Sequence, residues 1–544
     1  MDDTSFFGRH GGMLAWGILG LGVVLRFAGI TKWWLNPDEG IYYSVLTREE
    51  FTDFWAETIA TAHPPLYFLL LRVVGSISVD FVWLRSPALL SGCVAVYLFF
   101  LVGREIGGTG ARGWLTGLLS GLALAISPGA IALSQVIRPY MLLVALLAGG
   151  LYLLLRYMRL PSTRLLVGFT TCTSLAALLH YSSVFGLGVF GCLVLADAAQ
   201  RGHTRPEWRR LLVAQAIPGL ILAVLYFVHL RDLMNGALAD DALNGWLSQF
   251  MIESPSGVWL SMVGFQSMVV GEAYAASAAL LTLFAFGYAV WSRAWTPLVL
   301  GLAALLIAVA GAVLGSYPFG ATRHIAWLFV FVVPVAAWSV AVMFTSGRRI
   351  QVLSLALFTG IAVGGERLGS FLGADESPQG VSERVLQTAH LDAMAEALNP
   401  RAEPTLVFMS TETYYLLSPL YAVERQTARM SRDGTLMHFV WGSRNMFVLP
   451  NWDFVSRPDQ LGLPNHLFTA AQKAAEEFFD VPRSDGEPVL LLEGGWSYEG
   501  ISDLIELSRE FESFGTTSSV PGLIALSLDM DAYARALTAA SGQP

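Results

Sequence analysis

The sequence predicts a polytopic α-helical membrane protein of about eleven spans, followed by a C-terminal extracytoplasmic domain of mixed α/β class. Three observations predict it. The 544 residues are 54% hydrophobic and only 14% charged, with a mean hydropathy of +0.55, whereas soluble domains carry about 25% charged residues. Apolar runs long enough to cross a bilayer recur as far as about residue 370. From about residue 376 the pattern becomes that of a soluble domain. The expected division is a membrane module over 1–370 and a soluble domain over 371–544.

The expected spans are 13–31, 84–103, 114–130, 139–156, 165–181, 183–199, 211–229, 273–291, 296–314, 325–345 and 350–369. The polar gaps between them are of two kinds. One kind gathers arginines: Arg104 and Arg112; Arg156, Arg159 and Arg164; Arg201, Arg205, Arg209 and Arg210; Arg293; Arg348 and Arg349. Cytoplasmic loops collect Lys and Arg, so these gaps are expected inside. The other kind holds Asp38, Glu39, His63, Gln135, Arg138, His180, Tyr181, Arg323 and His324. The two kinds alternate, which puts the N-terminus in the cytoplasm and everything after about residue 370 outside the plasma membrane. No A-x-A cleavage site follows the first apolar run, so that run is expected to be a retained anchor.

Gly40 to Val79 is too polar for a plain span. Ile41, Val45, Phe51, Phe54, Trp55 and Ile59 recur at helical spacing beside Arg48, Glu49, Glu50, Asp53 and Glu57. That pattern suits a helix lying in the membrane interface, and Pro64-Pro65 would open a second one. The segment from Arg231 to Glu272, with Asp240, Asp241, Trp246, Phe250 and Trp259, reads as a long outer loop of the lid or binding kind. In the soluble part, a helix is expected over Ser382–Leu398 and another near Ser502–Phe511. Strands are expected over Thr405–Phe408, Val489–Leu492 and Leu523–Leu526.

Several classes of function are disfavoured. A net charge of −9 argues against a nucleic-acid partner, which favours a basic face. No glycine-rich phosphate loop or dinucleotide fingerprint occurs. Cys93, Cys172 and Cys192 all lie in apolar runs without metal-ligand spacing. All but two of the basic side chains, Lys32 and Lys473, are arginines.

The chemistry-bearing residues begin with Asn36-Pro37-Asp38-Glu39, two adjacent carboxylates just past the first span, and His63-Pro64-Pro65-Leu66-Tyr67 downstream. Carboxylates there belong at a polar surface or a water-filled cavity. Leu84-Arg85-Ser86-Pro87-Ala88-Leu89, Ser127-Pro128 with Ser134-Gln135-Val136-Ile137-Arg138-Pro139-Tyr140, and Tyr317-Pro318-Phe319-Gly320-Ala321-Thr322-Arg323-His324 complete the set. Together, over about residues 15–345, they resemble the GT-C membrane glycosyltransferases, in the bacterial and archaeal branch related to the protein O-mannosyltransferases and aminoarabinose transferases. One departure is Val136, where that family usually has a glutamate.

The resemblance implies transfer of a sugar from a polyprenyl-phosphate donor to an extracytoplasmic acceptor, a protein, a lipid or an envelope glycan. Such transfer needs a carboxylate to orient or deprotonate the acceptor and donors to stabilise the departing phosphate. Asp38 is expected in the first role, with Glu39 beside it as a tuning group. The competing reading is that the pair merely caps a helix. Arg138, Arg323, His324 and Arg26 are expected at the donor phosphate; for Arg138 the alternative is a snorkelling side chain at a span end. His63, Tyr67, Gln135, Tyr140, His180, Tyr181 and Tyr317 are expected around the substrate. No cofactor is required by the resemblance, a divalent cation stays open, and Val136 counts against one. The rival reading is a lipid or glycan flippase without transferase activity, although no internal repeat of the transporter kind is visible.

Overall fold

The computed structural model describes residues 3–201, 205–234, 247–345, 388, 405–432, 436–442, 444–449, 476–477, 479, 481, 489–493, 515–520 and 523–528. They fall into two compact units. One contains the described residues of Met1–Ala28, Ala56–Val74 and Trp83–Gly380, the other those of Gly29–Trp55, Gly75–Val82 and Val381–Pro544.

The first unit is a helical bundle of the kind that spans a membrane. Its helices are α1 (Asp3–Phe27), α6 (Ser86–Gly107), α7 (Gly110–Ile126), α8 (Pro128–Ser134), α9 (Tyr140–Arg159), α10 (Thr163–Leu179), α11 (Ser183–Arg201), α12 (Arg205–Leu225), α14 (Pro255–Val270), α15 (Glu272–Trp291), α16 (Trp295–Val313) and α17 (Phe329–Thr345). The short α13 (Arg231–Met234) follows α12 after a π turn over Tyr226–Leu230. Among the described residues eight helices are long and apolar enough to cross a bilayer, and the bent pair α7–α8 makes a ninth. α10 is an apolar helix of 17 residues. These ten match the first ten expected spans; the eleventh, 350–369, lies outside the described residues.

The outward surface of the bundle is apolar. α12 exposes Leu212, Leu220 and Val224, and the turn after it exposes Phe227 and Val228, a continuous greasy face that suits lipid. Inside, small residues let helices approach. A side chain at Gly103 of α6 would run into Ser120 and Thr116 of α7, the close packing that replaces hydrophobic drive within a bilayer. Ser127 makes the bend of 61° between α7 and α8: its Oγ accepts the Ala130 N–H at 3.3 Å and donates to the Met268 carbonyl at 2.8 Å.

The two kinds of polar gap sit at opposite ends of the same helices. Arg156 and Arg159 at the end of α9 reach Glu105 at the end of α6, at 3.4 and 3.0 Å. Arg104 covers the Trp114 ring at 4.0 Å, and Arg112 at the start of α7 donates to Thr345 at the end of α17 at 3.4 Å. Arg138 and Tyr140 mark the other end of α9, and Arg323 and His324 precede α17. The segment expected as a long loop, Arg231–Glu272, instead contains α14. Ser254 caps it, Pro255 opens it and Gly271, at φ +86°, ends it, while α14 packs on α15 and α8. Asp240, Asp241 and Trp246 lie outside the described residues.

The region 40–79 departs from expectation at its start. It forms three helices, α2 (Pro37–Leu46), α3 (Phe51–Ala60) and α4 (Leu66–Gly75). α3 is amphipathic as expected, with Phe51, Trp55 and Ile59 exposed and Phe54 fully buried. Pro64-Pro65 precedes α4, as expected. α2 is not an interfacial helix: Tyr42, Tyr43, Ser44, Val45 and Leu46 are all buried, within the unit that holds the soluble domain.

That second unit is built on a seven-stranded sheet. Its strands are β1 (Thr405–Ser410), β2 (Arg429–Met430), β3 (Met437–Trp441), β4 (Arg444–Leu449), β5 (Val489–Glu493), β6 (Gly515–Val520) and β7 (Leu523–Leu528). The order is β2-β3-β4-β1-β5-β7-β6; β1 runs parallel to β4 and β5, and the other pairs are antiparallel. Leu406, Val407, Phe408 and Met409 are all buried, so β1 is covered on both faces, as a central parallel strand must be. Phe408 pairs with Phe447, their rings stacked at 5.1 Å. The short helix α18 (Thr411–Leu416) follows β1. The expected helices over Ser382–Leu398 and Ser502–Phe511 fall outside the described residues, save for Thr388.

Candidate functional site

The acidic pair opens α2. Asn36 is its cap: Asn36 Oδ1 accepts the Glu39 N–H at 2.8 Å, and the Glu39 carboxylate accepts the Asn36 N–H at 3.2 Å. Pro37 fills the first helical position, where its missing N–H costs nothing. This reciprocal capping box engages Glu39, which is 1% exposed, the geometry that the capping reading expects. Asp38, one position earlier, is half-buried in the first turn, where the positive end of the helix favours a carboxylate.

The second group lies in the helical bundle and comes from four separate segments. Arg138 and Tyr140 stand in the break between α8 and α9. His180 and Tyr181 link α10 to α11. Tyr317 to His324 join α16 to α17, and His63 precedes α4. The rings form a chain: His63 to His180 at 5.3 Å, His180 to Tyr140 at 5.2 Å, Tyr140 to His324 at 6.2 Å, and His324 to Tyr317 at 6.4 Å. The loop before α17 is shaped, as its glycine and proline content predicts. The Tyr317 hydroxyl donates to the His324 carbonyl at 2.7 Å, and Thr322 Oγ1 lies 2.9 Å from His324 Nδ1. Gly320 takes φ +149° with its open side against the Phe250 ring, a conformation that disfavours a side chain.

Hydrogen bonding fixes the protonation of His180. Its Nδ1 accepts the Ser182 N–H at 3.1 Å, so the proton of the neutral ring sits on Nε2. Burial, then His63 and Arg138, hold His180 well below the ordinary histidine value. Burial, then Arg323 and His229, hold His63 down to about 4. Burial also raises the Tyr181 and Tyr317 phenols. Near neutral pH the two imidazoles are therefore uncharged donors or acceptors, while Arg138 and Arg323 carry fixed charge.

Three donors in this region lack a protein partner. The His180 Nε2–H, the Tyr140 hydroxyl and the Trp327 indole N–H are buried without a hydrogen bond among the described residues. Their residues are 6%, 1% and 0% exposed. Trp327 joins the group through Phe185, whose ring lies 5.4 Å from Trp327 and 4.4 Å from Tyr317. Each unpaired buried donor costs about 1–3 kcal/mol, and such groups in a native structure call for a cause. Donors beside two guanidinium groups suit an anionic oxygen-rich ligand.

Tyr140→Phe separates that cause from ordinary burial by the sign of its effects. If the hydroxyl serves an anionic ligand, the variant should bind a polyprenyl phosphate, the ligand expected from the sequence, about tenfold more weakly, roughly one lost hydrogen bond to a charged group. Its thermal stability should hold or rise, because an unsatisfied group has gone. Unchanged binding, measured by tryptophan quenching or calorimetry in nanodiscs, would remove Tyr140 from the site.

Other expected residues are placed differently. Arg26 is fully buried, but four of its five N–H groups go to Ser134 Oγ and to the carbonyls of Gly22, Leu124 and Ala125. It ties α1 to the end of α7. Gln135 donates to the Arg26 and Ala28 carbonyls at 2.6 and 2.9 Å, capping the end of α1. Tyr67 is fully buried on α4. Tyr181 donates its hydroxyl to His229 Nδ1, and His229 Nε2 lies 2.8 Å from the Ile59 carbonyl. Val136 is buried. Among the described residues no three His, Cys, Asp or Glu side chains come together to hold a metal ion.

Sequence reading missed His229, Ser182 and Trp327. A histidine inside an apolar run was the available signal for the first, and the π turn that carries it is a frequent mark of functional positions. Ser182 and Trp327 carry no signal without the fold.

No protein-family profile matches the sequence, and no curated protein does. Solved structures do. The oligosaccharyltransferase of Archaeoglobus fulgidus in its apo form is similar at a TM-score of 0.50 and 13% identity, over 94% of this chain and 74% of that one. ArnT of Cupriavidus metallidurans, bound to undecaprenyl phosphate, is similar at a TM-score of 0.49 and 14% identity, over 95% of this chain and 98% of that one. The fold is that of the archaeal oligosaccharyltransferase, a bundle of apolar helices of membrane-spanning length with a C-terminal mixed α/β domain. The resemblance read from the sequence holds at the level of the fold.

Proposed function

We propose that the protein transfers a sugar from a polyprenyl-phosphate carrier to an extracytoplasmic acceptor. The observation that carries this reading is the set of unpaired buried donors on His180, Tyr140 and Trp327 beside the charges of Arg138 and Arg323. The fold supports it, since the similar archaeal protein is an oligosaccharyltransferase.

In this reading Asp38 accepts the proton of the acceptor hydroxyl or amide as that group attacks the anomeric carbon. The bond from that carbon to the phosphate oxygen breaks, and polyprenyl phosphate leaves with the electron pair. Arg138 and Arg323 hold the phosphate by charge-assisted hydrogen bonds, and the neutral His180 Nε2–H and Tyr140 hydroxyl add directional ones. His324 lies among them. Donors already placed where charge develops act most strongly in the transition state. His63 and Tyr317 shape the surroundings. A panel of polyprenyl-phosphate sugars, followed by release of polyprenyl phosphate, tests the reading. Movement of an intact lipid-linked sugar across the membrane, with no cleavage of any donor, would instead make the protein a flippase.

The reaction side follows from charge. The arginine-rich helix ends are proposed to be cytoplasmic, and the soluble domain and Asp38 extracytoplasmic. Single cysteines introduced near positions 108, 205 and 440 should label accordingly: the first two from the cytoplasm, the third from outside. Labelling of 205 and 440 from the same side would overturn this arrangement.

A further inference from the structure

α2 is gripped at its far end by the soluble domain. Arg425, in the turn over Glu424–Thr427, is 0% exposed. Its Nη1 donates to the Ser44 hydroxyl and its Nη2 to the Ser44 carbonyl. Nη2 also reaches Thr47 Oγ1 at 2.6 Å, and Nη1 lies 3.4 Å from the Tyr414 hydroxyl. Gln426 donates to the Thr47 carbonyl at 2.9 Å. Among the described residues these partners of Arg425 are neutral oxygens, with no carboxylate to offset a buried charge. Burying a guanidinium that way is expensive, and apolar packing would hold two elements together at lower cost. What the charge supplies here is direction: it sits on the carbonyl end of α2, where the helix dipole favours a cation.

The same face of the domain supports the rest of the segment. Trp34 donates its indole N–H to the Leu416 carbonyl at 2.9 Å. The Ser418 hydroxyl lies 3.4 Å from the Gly40 carbonyl. A side chain at Gly40 would collide with the Tyr415 carbonyl, so only glycine lets α2 lie this close. A helix held at Ser44 and Thr47 carries Asp38 about 10–13 Å away along its axis. A small tilt at one end becomes a displacement of the carboxylate at the other.

We propose that Arg425 is a positioning residue for Asp38, fixing the carboxylate through α2, so that the soluble domain is part of the acceptor-activating machinery. This rests on the assignment of Asp38 as the acceptor-side base. Misplacing a base by about an ångström slows transfer without touching the donor. Lysine replaces the guanidinium only in part, because one ammonium keeps the charge but does not span Ser44 and Thr47 together.

The test compares Arg425→Gln, Arg425→Lys and the milder Ser44→Ala, each in the full chain in nanodiscs. Hydrogen exchange of the α2 amides should quicken at least about tenfold in Arg425→Gln while α9 stays protected. Turnover of the sugar donor should fall about 10- to 100-fold, with binding of undecaprenyl phosphate unchanged. Arg425→Lys should recover part of the loss, and Ser44→Ala, isosteric enough to fold, should lose about threefold or more. Added to Asp38→Asn, Arg425→Gln should cost little further turnover. Unchanged exchange in α2, or an equal further loss in the Asp38→Asn background, would overturn the proposal. Asp38→Asn at near-parental rate would instead strike the assignment of the base, a separate result from the exchange data.

Discussion

Asp38→Asn should lower transfer by at least about 100-fold, the low end for loss of a general base, while binding of the proposed polyprenyl-phosphate donor changes little. The substitution keeps size and shape. It also keeps the capping box, because that box is made by Asn36 and Glu39. Asparagine near a helix start is well tolerated, so melting should be close to parental. Glu39→Gln is the informative companion. Glutamine can still close the box, so that variant should retain most of its activity if Glu39 serves only the helix. A near-parental Asp38→Asn would leave Asp38 as part of the helix start and nothing more.

The two carboxylates show what a sequence can and cannot reveal. Asn36-Pro37-Asp38-Glu39 contains both a helix-start signature, Asn followed three residues later by Glu, and a pair of acids at the mouth of a span. Local physics accounts for the place of Glu39 in the helix start, because the box needs only four consecutive residues. The spans were legible for a related reason: hydropathy is summed over twenty neighbours, so one sequence window holds the whole signal. α14 escaped that window because Ser256, Ser261, Gln266 and Ser267 dilute a 16-residue helix. β3 and β4 were within reach, since two β-type runs flank Trp441-Gly442 and Gly442 turns at φ +62°.

What could not be read is the long-range placement. Arg425 meets Ser44 across 381 positions of sequence, and nothing near either residue announces the other. The seating of α2 on α18 therefore stayed hidden, and Ile41 and Val45 looked like the apolar stripe of an interfacial helix. Arg26 shows the opposite case. An intramembrane arginine is a functional candidate by default, yet the carbonyls left open at the end of α7 supply enough acceptors to satisfy it. His180 was identified by position alone; only the Ser182 N–H, two residues on, reveals which nitrogen bears the proton.

Arg138→Ala and Arg323→Ala should each weaken binding of the proposed polyprenyl-phosphate donor, or slow release of the leaving group, by about 10- to 100-fold. Losing one hydrogen bond to a charged group costs roughly 1.5–3 kcal/mol, which is that range in rate or affinity. The two are distinguishable by what else they disturb. Arg138 is 4% exposed, so its removal empties buried volume and should also lower the melting temperature by several degrees. Arg323 is half-buried at the entry to α17, and its removal should leave melting close to parental. Arg323→Lys keeps the charge but not the planar fork, and should fall between parent and alanine variant if the contact is bidentate. Since neither arginine is assigned to the acceptor, the loss caused by Asp38→Asn should persist in both backgrounds. Parental affinity and parental turnover in both alanine variants would move the phosphate away from this group of residues. The unpaired donors of His180, Tyr140 and Trp327 would then need a different ligand.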